Sequence, residues 1–338
     1  VGEYLCHHDE IDEIHITGSD RTHDAIVYGT GEEGEQRQKE DDRRIDKPIT
    51  SELGNVSPVI VVPGPWNQQD LEFHAENVAT QLANNAGFNC NAVRVMVLPE
   101  SWDRADAFIE AVESAFREIE PRHAYYPGAN DRYERFTEIE EDTLVVGDAD
   151  KGELPFAIIR DVDPQETDHP AFRDEAWCTV TSTTRLPGEN PADFLGNAVD
   201  FCNETVWGTL NAAILIHPET RRQIGETLQE ALEELRYGTI ALNHWPAIGY
   251  ALGVTPWGAH PGHTYQDIQS GIGVVHNTMM FDKPQKTILD GPFRVSPKPP
   301  WFVTNPAGID VARKLVDFEH DPSVGGFLGV AWSTLFGG

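Results

Sequence analysis

Gly87-Phe88-Asn89-Cys90-Asn91-Ala92-Val93-Arg94-Val95-Met96-Val97 is the stretch whose reading decides the fold. It places one cysteine between a helix running up to about Gly87 and a strand of alternating, then continuous, apolar residues that begins at Ala92. A thiol at such a junction sits where the backbone changes direction, with free amide N–H groups beside it. Those amides can stabilise a developing oxyanion, so the position suits a nucleophile. A lone cysteine is more often a small buried hydrophobe, and this pattern alone leaves both readings open.

A second stretch, Ser51-Glu52-Leu53-Gly54-Asn55-Val56-Ser57-Pro58-Val59-Ile60-Val61-Val62, puts a carboxylate and a glycine just before another apolar strand. Glu52 and Cys90 then form a base and nucleophile pair carried on two loops. The two stretches resemble the signatures of the aldehyde dehydrogenase superfamily: a Glu-Leu-Gly-Gly-Lys-Ser-Pro segment and, a few tens of residues later, a Gly-Gln-x-Cys segment. Order and spacing agree. Asn55 and Val56 depart from the pattern, standing where it has its second Gly and its Lys.

Upstream, Ile11, Ile14 and Ile16 lead into Thr17-Gly18-Ser19, after which a helix is predicted through Ala25 and Ile26. Strand, Gly-Ser turn and helix N-terminus make a place for a phosphate, although Thr-Gly-Ser is common in ordinary turns. The turn is similar to the superfamily's Phe-Thr-Gly-Ser-x-x-x-Gly, which implies that Gly18 and Ser19 meet a cofactor pyrophosphate. His23 replaces the last glycine of that pattern. Thr30 to Lys47 is almost wholly polar and charged and reads as an exposed loop.

Downstream, Asp70 to Ala86 has Leu71, Val78, Leu82 and Ala86 near helical spacing and delivers the chain to Cys90. Asp103 is the expected cap of a helix whose Phe108, Val112, Phe116 and Ile119 share a face, and Pro121 its stop. Tyr125-Tyr126-Pro127-Gly128 reads as an aromatic turn, either lining a substrate mouth or packed on the surface. Thr143 to Val146 and Phe156 to Ile159 read as a hairpin. Leu210 to Ile216 is a buried strand, and Thr220 to Arg236 one amphipathic helix with Ile224, Leu228, Leu232 and Leu235 inward. This alternation argues for a parallel α/β layer.

The resemblance continues through this half. Arg173-Asp174-Glu175-Ala176-Trp177-Cys178 is similar to a Glu-Ile-Phe-Gly-Pro element, which implies that Glu175 holds the nicotinamide ribose hydroxyls and that Trp177, like Leu53, lies by the cofactor. Gly238 to Asn243 is similar to Gly-Thr-Val-x-Ile-Asn, and Pro256-Trp257-Gly258-Ala259 to Pro-Phe-Gly-Gly, so Asn243, Trp245 and Trp257 are candidates for the aldehyde channel. His260-Pro261-Gly262-His263 offers two imidazoles and no third ligand, and reads as a loop rather than a metal site. The last sixty residues, rich in Pro, Trp and Phe, carry no motif; cover for the sheet or an oligomer interface is expected there.

The bulk numbers agree with a globular protein of two domains: 338 residues, 39% apolar. A net charge of −31, from 56 acidic and 25 basic residues, repels nucleic acid and anionic lipid, and suits the solvated surface of a protein in a high-salt cytoplasm. Cys6, Cys90, Cys178 and Cys202 are scattered without a C-x-x-C pair, so no zinc site or disulfide framework is indicated and a reducing cytoplasm fits. No apolar run approaches a membrane span, and Val1 is not expected to be a native start.

The resemblance implies an α/β fold: a parallel three-layer sheet domain with the catalytic cysteine, plus the remnant of a Rossmann-like cofactor domain. Residues 1–54 would end the NAD(P)-binding domain, 55–258 form the thiol domain, and 259–338 a packing or oligomerisation extension. It implies oxidation of an aldehyde to an acid with NAD or NADP, through a Cys90 thioester hydrolysed by Glu52-activated water, in a dimer or tetramer. The first half of such an enzyme is missing, being either a further part of the chain or a separate polypeptide. Acyl transfer or ester hydrolysis at Cys90, and an inactive subunit kept for assembly, are the alternative readings.

Overall fold

Ser57–Val61 and Val93–Pro99 are apolar apart from Ser57 and Arg94, and every residue on both is buried, so both faces of the sheet they build must be covered by helices. The computed structural model describes residues 1–337. Its N-terminal part holds α1 (Gly2–His7), β1 (Ile14–Thr17), α2 (Asp20–Val27), α3 (Gly31–Glu40) and β2 (Ile49–Glu52). β1 and β2 pair in parallel, Ile14 opposite Ile49 and Thr17 opposite Glu52, as a two-stranded sheet of their own.

From Ser57 strands and helices alternate: β3 (Ser57–Val61), α4 (Gln68–Ala83), β4 (Val93–Pro99), α5 (Ala105–Arg117), α6 (Ala129–Thr137), β5 (Leu144–Val146), β6 (Phe156–Ile159), α7 (Pro170–Arg173) and β7 (Val180–Leu186). Then come α8 (Pro191–Glu204), β8 (Asn211–Leu215), α9 (Pro218–Gln223), α10 (Gly225–Glu234), β9 (Thr239–Leu242), α11 (Ala247–Leu252) and β10 (Thr287–Asp290), with α12 (Gly308–His320) and α13 (Val324–Phe336) last. The eight strands from β3 onward form one sheet in the order β10-β9-β8-β3-β4-β7-β6-β5. All neighbours are parallel except the β5–β6 hairpin.

Side chains alternate across this sheet and fill two cores. Val59, Val61, Met96 and Leu98 face α4 and α5, meeting Leu71, Val78, Leu82, Phe108, Val112 and Phe116. Ile60, Val95 and Val97 face the other way, onto Phe172, Phe194, Leu195, Val199 and Leu232. Truncating a side chain such as Phe108 to Ala costs about 3–5 kcal/mol. A helical layer on each face leaves the loops entering β3, β4, β7 and β8 gathered along one edge of the sheet.

Several expectations are corrected. Gly31–Glu40 is a helix, not a loop. It has no apolar stripe; Arg37 pairs with Glu33 one turn away, and Gly34 rests on the backbone of Gly29, where a Cβ would come within 2.4 Å of the carbonyl oxygen. The segment 220–236 is two helices that break at Ile224. Thr220 donates to Pro63 O at 3.2 Å and Arg221 pairs with Asp290 at 2.7 Å, so α9 is anchored separately and the chain turns at Ile224, whose φ −113° and ψ 30° lie outside the helix. Asp103 does not cap α5: Arg104 holds the N-cap position without a side-chain bond, and the helix ends at Arg117, before Pro121. Residues 259–338 are not simply an appendage either, because β10 pairs with β9 in the main sheet.

Candidate active site

Cys90 is held by a backbone that reverses sharply. Asn85, Ala86 and Gly87 all take positive φ (51°, 54° and 77°), and a Cβ on Gly87 would lie 2.3 Å from Cys178 O, so only glycine fits there. The buried Arg94 guanidinium locks the turn. It donates to Gly87 O and Cys178 O, each at 2.6 Å, and to Val180 O at 3.2 Å. Cys90 O accepts from Ser57 Oγ at 3.1 Å and from Asn211 Nδ2 at 3.0 Å, and Asn91 O accepts from the Trp245 indole at 2.8 Å.

The strand that carries Glu52 is fixed as firmly. Glu52 ends β2 and is 4% exposed. Ser270-Gly271-Ile272 runs beside it: Leu53 N–H donates to Ser270 O at 3.0 Å, Ser51 N–H to Ile272 O at 2.8 Å, and Ser270 Oγ to Gly54 O at 2.8 Å. A Cβ on Gly271 would come within 2.1 Å of Ser51 O. This buttress escapes a reading of the sequence, because its partner lies some 220 residues earlier; the small Ser-Gly-x-Gly cluster is the only local signal. Asn55, a departure from the resembled pattern, bridges to Ser57 Oγ at 3.0 Å and Asn211 O at 2.8 Å, bracing the two loops against each other.

These supports bring Glu52 and Cys90 together. Cys90 keeps partial contact with solvent, yet burial of its sulfur pushes the thiol well above its ordinary pKa. The charges of Glu52 and Glu175, and a hydrogen bond to Glu52, push the same way, while the residue's own backbone N–H favours the thiolate. Cys90 therefore rests as a thiol hydrogen-bonded to Glu52.

Glu175 lies behind Gly54, where a Cβ would come within 2.4 Å of Glu175 Oε2. Burial raises its pKa to about 7, against the lowering effect of Arg94 and of the Asn55 backbone N–H; Glu52 and Asp20 raise it further. Its Oε1 is buried without a partner. Trp177, in the left-handed region at φ 46°, packs edge-on to Tyr126. Tyr126 stacks on Phe88, and Tyr125 donates to Asn85 Oδ1 at 3.1 Å, so the aromatic turn walls the nucleophile loop while both tyrosines stay well exposed. Gly18 N–H donates to Glu52 O at 3.1 Å, and Ser19 caps α2 by accepting from Thr22 N–H at 3.2 Å. His23, in place of the expected glycine, is buried against Tyr265. Leu53 is buried, leaving only its backbone for a ligand.

Of the three channel candidates, none lines an open channel. Asn243 is buried at the end of β9, its Oδ1 accepting from Ile216 N–H at 2.8 Å. Its amide is spent on the backbone, which corrects the expectation that it meets substrate. Trp245 clamps the nucleophile loop, and Trp257 is fully buried with its indole donating to Glu52 Oε1 at 3.3 Å. Apart from these groups, Glu140, Glu166 and His169 bring three donor atoms within 4.8 Å. His169 Nδ1 accepts from Ala171 N–H at 3.1 Å, which leaves the ring proton on Nε2, facing Glu140 at 3.4 Å. A metal on Nε2 would require that proton on Nδ1, so the trio is a helix cap with an acid partner. Among the described residues no helix is long and apolar enough to cross a membrane.

The model of the aldehyde dehydrogenase family matches residues 1–129. The fold is similar to that of an NADP-dependent glyceraldehyde-3-phosphate dehydrogenase from Bacillus halodurans complexed with NADP, at 18% identity and a TM-score of 0.60 over 81% of this chain and 51% of that one. A gamma-glutamyl-gamma-aminobutyraldehyde dehydrogenase from Burkholderia cenocepacia matches at 22% identity and 0.62, covering 82% and 51%. An indole-3-acetaldehyde dehydrogenase complexed with NAD+ matches at 17% and 0.62, covering 84% and 52%. The chain thus spans about half the length of the solved structures it matches, and at these identities the likeness is one of fold.

Proposed function

We propose that the chain is a member of the aldehyde dehydrogenase family, whose model matches residues 1–129 and whose fold its mostly parallel sheet shares, and that it oxidises an aldehyde to a carboxylic acid at Cys90. The observation that carries the proposal is the thiol of Cys90 facing the carboxylate of Glu52 from a separately braced strand. Glu52 takes the thiol proton as sulfur attacks the carbonyl carbon, forming a C–S bond and a tetrahedral oxyanion beside the Cys90 N–H. A hydride leaves that carbon and the carbonyl re-forms as a thioester. Glu52, its proton passed to solvent, then deprotonates a water that attacks the thioester; the C–S bond breaks, the acid departs and the thiol is restored.

A nicotinamide dinucleotide, NAD or NADP, supplies the hydride acceptor when bound. The orphaned Glu175 Oε1 fits a ribose hydroxyl, which would relieve a buried acceptor, and the turn at Gly18 and Ser19 opens α2 where a pyrophosphate would sit. Trp177 borders the same side. The test is aldehyde-dependent reduction of NAD+ or NADP+ by the purified chain and by Cys90→Ala. Loss of turnover in the folded variant is expected; equal turnover refutes the assignment of the nucleophile.

The finer partner assignment is a second copy seated on α12 and α13. Ile309, Val316, Val324, Phe327, Leu328 and Trp332 are each more than half exposed there. Residues 322–338 carry no charged side chain, in a chain whose net charge of −31 opposes self-contact elsewhere. Such side chains together offer area on the order of the ~800 Å² per partner of a stable interface. Light scattering should give a dimer or larger that Phe327→Glu with Trp332→Glu dissociates; a monomeric wild type refutes it. Four unpaired cysteines support a reducing cytoplasm as the setting.

A further inference from the structure

A carboxylate in a nearly closed pocket keeps its aim only where its oxygens have partners. Glu52 Oε1 accepts from the Trp257 indole N–H at 3.3 Å, and both side chains are buried. The indole is itself fixed. Trp257 N–H donates to His276 O at 3.3 Å, Trp257 O accepts from Val275 N–H at 2.6 Å, and the Tyr250 ring meets the indole edge-on at 5.6 Å. The next residue, Gly258, lies so close to Gly273 that a Cβ would come within 2.3 Å of its carbonyl oxygen. Neither backbone nor ring has room to swing.

We infer that Trp257 is a positioning residue: its indole N–H holds one oxygen of Glu52 so that the other faces Cys90 and the acyl carbon bound there. This rests on the reading of Cys90 and Glu52 as nucleophile and base. The resembled turn has phenylalanine at this place, which fills the slot but has no N–H to donate, so the extra ring nitrogen accounts for the tryptophan. Glu52, Glu175 and the Arg94 guanidinium are charged groups that act on the Cys90 sulfur, and Arg94 and Asp20 act on Glu175 in turn. Without the indole N–H, Glu52 grips the thiol proton more tightly and its charge is less offset, and both effects disfavour the thiolate.

Two readouts on the purified chain test the inference. The first is the pH dependence of Cys90 alkylation by iodoacetamide, read by peptide mass. Trp257→Phe is expected to move the midpoint up by roughly half a pH unit, about a threefold fall in reactivity at fixed pH, and Trp257→His, which keeps a ring N–H, to recover part of it. The second is hydrolysis of p-nitrophenyl acetate: Trp257→Phe should keep the initial acylation of Cys90 and slow steady turnover by about tenfold. An unmoved midpoint with unchanged turnover overturns the inference. Should Trp257→Phe not fold, the indole N–H resonance of Trp257 decides, comparing wild type with Glu52→Gln; it is expected to shift, and an unmoved signal overturns the inference. Wild-type turnover in Glu52→Gln itself would instead refute the assignment of the base, a separate outcome.

Discussion

The Cys90 side and the Glu175 side of the proposed site are built differently. Around Cys90 the carbonyl oxygens of Gly87, Cys90 and Asn91 all accept hydrogen bonds, from Arg94, Ser57, Asn211 and Trp245. A few ångströms behind Gly54, Glu175 keeps a buried oxygen with no partner at all. The chain pre-arranges the groups proposed to form and break bonds with its own hydrogen bonds, and leaves unsatisfied the group proposed to meet a bound molecule.

The largest effect is expected from breaking the satisfied side. Arg94→Met removes a buried guanidinium from three carbonyls and takes the nearest cation from Glu175. Denaturant unfolding should show a loss of about 3–5 kcal/mol. A loss under 1 kcal/mol would mean that the loop is held by something else.

The unsatisfied side should respond with the opposite sign. A carboxyl whose folded pKa is raised, to about 7 for Glu175 against the ordinary 4.5, binds its proton more tightly in the folded state. Its contribution is present below pH 4.5 and is lost as pH rises through 7, where the folded chain must carry a buried charge. Glu175→Gln should thus match wild type near pH 4.5 and exceed it by on the order of 3 kcal/mol above pH 7. Parallel stability curves across that range would refute the assignment. A smaller effect separates the rim from both sides: Tyr125→Phe deletes one exposed bond to Asn85, so it should change stability by only about 0.5 kcal/mol and leave Cys90 acylation intact.

Much of this comparison is legible in the residues alone. Cys90 and Glu52 stand before apolar strands that only a doubly covered sheet can bury, so their place follows from pattern. The hairpin at Leu144–Val146 and Phe156–Ile159 and the helix leading to Cys90 follow likewise. The partners do not. Ser270 bonds Gly54 from a loop without periodicity, and the Trp257 indole reads as ring bulk until its N–H is seen against Glu52. α3 escapes because i,i+4 pairs leave no apolar stripe, and the break at Ile224 because Ile224 itself keeps helical spacing with Leu228, Leu232 and Leu235. Asn243 is misread for a related reason: a strand-end amide looks the same whether it meets a substrate or, as here, Ile216 N–H.

The central claim is that Cys90 forms the acyl intermediate and Glu52 removes it. Its most direct test is the intact mass of the Glu52→Gln chain after mixing with p-nitrophenyl acetate. One acetyl group per chain, mapped to Cys90 and persisting long after the wild type has shed it, is the predicted result. No adduct, an adduct at another residue, or one lost as fast as from the wild type would contradict the account.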